Sequence, residues 1–209
     1  MSINLDSNIL KEISYITSEP PWLREERLKA WEIYNKLPIE VSPLYVKHHD
    51  ITRVNLENAE FELKKEIKKD AEIDGLLDQI SSLPFVCLKD GEVYRINVPQ
   101  LLKEKGLEII SVKDLLKEEE SAKKLLSLKS LRPEEDKFQA FNDALFSSGF
   151  YINIPSGLIL KLPLRIINFQ GEEAKIKAVK NFIYVGADSR ITILEENYSL
   201  KEDSRQSLY

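Results

Sequence analysis

Cysteine is nearly missing from this chain. Cys87 is the only one among 209 residues, so the chain alone can form neither an intramolecular disulfide nor an all-thiolate metal site. Histidine is almost as scarce. His48 and His49 are adjacent and followed by Asp50, and neighbours on an extended segment point to opposite faces, so they do not share one metal. They read as part of a solvated loop. A complete zinc or iron–sulfur site would have to recruit carboxylates or a second chain. Glycine is confined to positions 75, 91, 106, 149, 157, 171 and 186. No two stand two or five apart, which excludes a dinucleotide fingerprint and a Walker A loop. No apolar run approaches the length of about 18 residues that a transmembrane helix needs. The opening Met-Ser-Ile-Asn-Leu-Asp has no basic n-region and no apolar h-region, so no secretory signal is expected and the chain reads as cytoplasmic. Charge of one sign is not in excess either. Thirty basic against 35 acidic side chains give a net −5, which argues against a dedicated nucleic-acid binder.

What is present is enough to fold. Hydrophobic residues make up 43% and charged residues 31% of the chain, a composition that buries a core in one ordinary domain or two small ones. Residues 8 to 17 carry Ile9, Ile13 and Ile16 on one helical face. Ser18 is placed to cap a second helix, which proline suits at its first turn and which runs to about Leu37 before Pro38. Its stripe is Leu23, Ala30, Trp31 and Tyr34, with Arg24, Arg27 and Lys29 mostly off it. Trp22 and Trp31, nine apart, fall about 180° out of phase, so one is expected to pack on the α/β unit and the other to be more exposed or to meet another element. Residues 38 to 56 read as loop or extended chain and 57 to 82 as helix, weakened at Gly75. Cys87 lies in an apolar strand, and Asp90-Gly91 signals a hairpin turn between Phe85 and Ile96. Helices at 98 to 106 and 112 to 129 flank a short strand at Leu107 to Ile110.

The pattern changes after residue 130. Pro133-Glu134-Glu135-Asp136 starts a helix with Phe138, Phe141, Ala144 and Leu145 as its buried stripe and Gly149 as its stop. From Phe150 to Glu195 nothing is helical. Leu158, Leu160, Leu162, Leu164 and Ile166 alternate at period two, and Ile176, Ala178, Ile183, Val185, Ile191 and Ile193 continue the inward face. Turn residues separate the runs. Periodicity allows a sandwich, a barrel or a coiled solenoid. No Ser/His/Asp or Cys/His constellation can be written, and the carboxylates Glu172, Glu173 and Asp188 fall in turns, so no enzyme and no catalytic, cofactor or metal residue is expected.

Two stretches carry a resemblance. Glu19-Pro20-Pro21-Trp22-Leu23-Arg24-Glu25-Glu26-Arg27-Leu28-Lys29-Ala30 resembles an element near the start of the SufB/SufD family, the scaffold subunits of the Suf iron–sulfur cluster assembly machine. Asp136-Lys137-Phe138-Gln139-Ala140-Phe141-Asn142-Asp143-Ala144 with Gly149 resembles that family's D-K-F-x-A-x-N-x-A helix. Tyr151 to Gly157 and Leu162-Pro163-Leu164 then resemble its I-x-V-P-x-G and P-L segments. The resemblance implies an α+β fold: a small helical, mixed α/β N-terminal domain over 1–130, then a lead-in helix and the first coils of a right-handed parallel β-helix over 131–209. It also implies a scaffold role in Suf cluster assembly by protein–protein interaction. The alternative is a stand-alone regulatory module that docks onto a full-length SufB or SufD. The implied partners are a SufB/SufD-type subunit, or a second copy, through the last β-helix rung. The ATPase SufC binds the family through helices that lie beyond the stretch matched here. Asn197, in Leu194-Glu195-Glu196-Asn197, stands where SufB-type chains carry a cysteine, which leans toward a SufD-like subunit. An iron–sulfur cluster is expected only in a larger assembly. Trp22, Arg27 and Phe138 read as packing and helix-cap residues.

Overall fold

Apolar residues recur at helical spacing over 8–36, and two helices form there. The computed structural model describes residues 2–3, 8–39, 60–62, 67–128, 130–171 and 175–200. In chain order the elements are β1 (Ser2–Ile3), α1 (Asn8–Thr17), α2 (Pro21–Lys36), β2 (Glu60–Glu62), α3 (Ala71–Gln79), β3 (Phe85–Lys89), β4 (Glu92–Asn97), α4 (Gln100–Glu104), β5 (Glu108–Ser111), α5 (Val112–Leu115), α6 (Glu119–Ser127), α7 (Lys137–Leu145), β6 (Phe150–Ile154), β7 (Leu164–Gln170), β8 (Lys175–Ile176), β9 (Phe182–Val185) and β10 (Ile193–Ser199). The class is α+β, as the sequence reading has it.

Helices α1, α2, α5, α6 and α7 share one core with Ile9, Ile13, Leu23, Ala30, Leu125, Phe141 and Leu145. The buried stripe of α2 is Leu23, Arg27 and Ala30, so Arg27 is in the stripe and not off it. Four residues from Leu23 leaves it only about 40° away round the helix. Both Trp22 and Trp31 are half-buried against this same core. They are out of phase, but they flank the stripe from either edge, and rings of that size fold inward from both sides. One buried and one exposed tryptophan is therefore not what forms. Ser18 does not cap α2. It sits at φ +50 after α1, and Pro20 is the N-cap with no side-chain bond.

Within the stretch read as helix over 57 to 82, the described residues give a strand, β2, at Glu60–Glu62 and a helix, α3, at Ala71–Gln79. Asp70 sets that start by accepting from the backbone N–H groups of Glu72 and Ile73, and a side-chain acceptor at that position begins a helix. The 112 to 129 helix is two, α5 and α6, with Leu116 to Glu118 between them. The hairpin forms as expected, with Asp90 at φ +51 and Gly91 at φ +78 in its turn, the twist that two-residue hairpins require.

Two sheets face each other. One has the order β10-β7-β3-β4 and the other β5-β6-β9; β1, β2 and β8 make a third. Val86 and Leu88 of β3, Ile109 of β5, Phe150, Ile152 and Ile154 of β6, and Leu164 and Ile166 of β7 fill the space between them. The alternate residues of β3 and β7, namely Phe85, Cys87, Ile167 and Phe169, face α3 through Ile73 and Leu77. The hairpin strand β3 lies parallel to β7, so residues on both sides of position 130 share one sheet.

The chain returns over itself at a constant interval. Tyr151 pairs with Phe182 and Ile154 with Val185, an offset of 31 residues. The single bridges Ser148–Val179 and Ile159–Arg190 keep that offset. Leu164 pairs with Ile193 and Gln170 with Ser199, an offset of 29. All these pairings are parallel. The alternating run from Leu158 to Ile166 is not one strand. Leu158 and Leu160 belong to the inner core, a bend at Lys161 and Leu162 leaves Leu162 exposed, and strand pairing restarts at Leu164. Pro163 offers no ladder N–H, so the chain turns there from one sheet to the other. Ile183, Val185 and Ile193, expected on the inward face, are 40%, 46% and 36% exposed. They stack on buried Ile152, Ile154 and Leu164, but they belong to the outermost described strands, β9 and β10, and nothing described covers them.

Candidate functional site

The two motif stretches meet in space. The Arg27 guanidinium is fully buried and pairs with Glu19 at 2.7 Å, both side chains being 0% exposed. Ser14 and Thr17 also donate to that carboxylate, at 2.6 and 3.3 Å. Arg27 Nη1 donates to the carbonyl of Ala144 in the last turn of α7 at 3.0 Å, and the guanidinium lies 4.1 Å over the Phe146 ring. Desolvation pulls the Arg27 pKa below its ordinary value, against the raising effect of Glu19. A cation at a helix C-terminus satisfies carbonyls left open there. At the other end the relation reverses: Lys137 donates to the carbonyls of Tyr34 and Leu37 at the end of α2, at 2.7 and 2.8 Å. Asp136 caps its own helix through the N–H groups of Phe138 and Gln139, at 2.7 and 2.9 Å. The cap and packing reading of Arg27 agrees with this geometry, and its lysine counterpart is Lys137, which the sequence reading passed over.

The same motif holds the segment leading into β9. Asn142 Nδ2 donates to the carbonyl of Val179 at 3.0 Å, and Asp143 pairs with Lys180. Gly149 runs so close to that segment that a Cβ there would lie 1.9 Å from the Lys180 carbonyl oxygen, at φ +139. It is a contact point and not the helix stop, because α7 already ends at Leu145. Beside this junction lies a cleft of about 290 Å³, lined by Leu125, Leu128 and Leu131 on one wall and Asp143, Lys180 and Phe182 on the other.

The outer strand β10 carries the remaining polar chemistry. Asn168 and Asn197 stack in register and are bonded at 3.0 Å, Nδ2 to Oδ1. Arg165 grips Glu196 through both oxygens at 2.5 Å, and Tyr198 stacks on Phe169 at 5.2 Å. The Arg165 hydrogen bond holds the Glu196 carboxyl below its ordinary 4.5. A folded-state value below the unfolded one means that this stabilisation is present above pH 4.5 and is lost as pH falls through the lowered value. Acidification is thus expected to loosen β10 before the helical core, seen as faster amide exchange at Glu196 to Tyr198, and Arg165→Met is expected to weaken that pH dependence, leaving the part that the Tyr198 hydroxyl supplies by donating to the same carboxylate.

Cys87 lies under α3, fully buried, and burial pushes its thiol up to about 12. A thiol so placed is a small hydrophobe and not a nucleophile. It is expected to resist alkylation in the folded chain and to react at the ordinary rate once urea unfolds it, as a mass-resolved time course would show. His48, His49, Asp50, Glu172, Glu173 and the polar stretch 201–209 lie outside the described residues. Asp188 is in an exposed turn at φ +58. Among the described residues no three His, Cys, Asp or Glu side chains gather as a metal site, and no helix is long and apolar enough to cross a membrane.

These features define an α+β protein in which a helical layer is clamped onto strands that stack in parallel. No family model matches the chain. Its curated relatives carry a consistent description. The chain is 29% identical over 175 residues to the iron-sulfur cluster assembly SufBD family protein of Staphylococcus haemolyticus, a match covering 77% of this chain and 37% of that protein. It is 28% identical over the same length, with the same coverage, to the SufBD family proteins of Staphylococcus aureus strains USA300 and COL. The resemblance drawn from the two motifs is thus to proteins named for iron–sulfur cluster assembly. The chain spans 37% of the length of these relatives.

Proposed function

We propose that this chain is a scaffold-type component of Suf iron–sulfur cluster assembly, working in the cytoplasm by protein–protein contact and not as an enzyme. The observation that carries the reading is the similarity to SufBD relatives over 77% of the chain. The joining of both motifs through Arg27 and Ala144 supports it. The parallel returns at offsets of 31 and 29 residues fit the first coils of a β-helix, and the right-handed sense follows from the handedness of parallel crossovers. In this reading residues 1–130 and 131–209 are the helical, mixed α/β part and the coil part. The open second coil is the contact face for a SufB/SufD-type subunit. The chain binds no cluster alone, and Asn197 on β10 takes the SufD-like role of a subunit without a sulfur acceptor.

Pull-down of the 209-residue chain with purified SufB, SufD and SufC tests this. Retention by SufB or SufD without retention by SufC is expected, and retention by none of them removes the reading. Anaerobic reconstitution of the chain alone is expected to give no stoichiometric cluster absorption. A regulatory module docking onto full-length SufB or SufD is the second reading. It predicts that added chain changes the cluster-assembly rate of the complete machine.

A further inference from the structure

We draw no further inference here: the strongest candidate, the cleft of about 290 Å³ between the end of α6, α7 and the segment leading into β9, sets exposed Leu128 and Leu131 against an Asp143–Lys180 pair whose charges already satisfy each other, and nothing in the structure shows what covers it.

Discussion

Arg27→Ala is expected to cost about 3–5 kcal/mol of stability, the range for breaking a fully buried ion pair by removing one partner. Three losses coincide. The Glu19 carboxylate stays buried with only Ser14 and Thr17 donating to it. The Ala144 carbonyl loses its guanidinium donor. A cavity opens beside Phe146, over which the guanidinium now lies. Against a total stability of about 5–15 kcal/mol for an ordinary domain, such a loss unfolds a large fraction of the chain at elevated temperature. Urea unfolding followed by the fluorescence of Trp22 and Trp31, both on α2, measures it. A combined Glu19→Leu, Arg27→Met variant removes both charges and is expected to lose much less, because no uncompensated carboxylate remains. A cost below about 1 kcal/mol for Arg27→Ala, the value of an exposed pair, would show that the clamp does not hold the two motifs together.

Gly149→Ala is expected to cost about 3 kcal/mol or more, and to loosen the second coil selectively. Two effects add. The backbone at φ +139 is a conformation that L side chains rarely adopt, and the new Cβ would lie 1.9 Å from the Lys180 carbonyl oxygen. Strain and overpacking are each of order 1–3 kcal/mol. Gly157 separates the two, because it also has a positive φ, +76, yet nothing stands within 4 Å of its Cβ position. Gly157→Ala is therefore expected to cost only about 1 kcal/mol. Hydrogen exchange of Gly149→Ala should rise from Val179 to Val185 while α1 and α2 keep their protection. Equal losses for the two variants would mean that backbone conformation, and not the close approach, makes Gly149 necessary.

Much of the molecule is written in short-range signals. The isoleucines of α1 at spacings of four and three, Pro38 after α2, and the Asp90-Gly91 turn all depend on residues a few positions apart. Each formed where the spacing puts it. Among the described residues, no helix forms from Phe150 to Glu195 either. The errors share a different origin. Residues 57 to 82 carry a helical charge pattern, but Phe61 pairs with Ile3 and Ile176, and partners that distant leave no local mark. Ser18 had the right residue type for a cap, but the tight passage from α1 to α2 left it at φ +50. Arg27 was legible in principle. An arginine within about 40° of Leu23 on the helix, with Glu19 eight positions earlier, is the signal of a buried pair, but a charge is ordinarily assigned to solvent.

The sequence by itself determined that α1, α2 and α7 are helices, where its hairpin turns, and which two stretches resemble the SufB/SufD family. Those follow from residue type, capping and period, all local properties. Only the tertiary structure decided that Arg27 reaches a carbonyl 117 residues away, that Gly149 must be small because Lys180 passes beside it, and that the strands return in parallel rather than forming a simple sandwich of hairpins. It also decided that Glu195 stacks over Ile166, which faces the inner core. Period two says that neighbours point to opposite faces, but not which face is inside. That depends on the residue stacked below, and Ile166 lies 29 positions back along the chain.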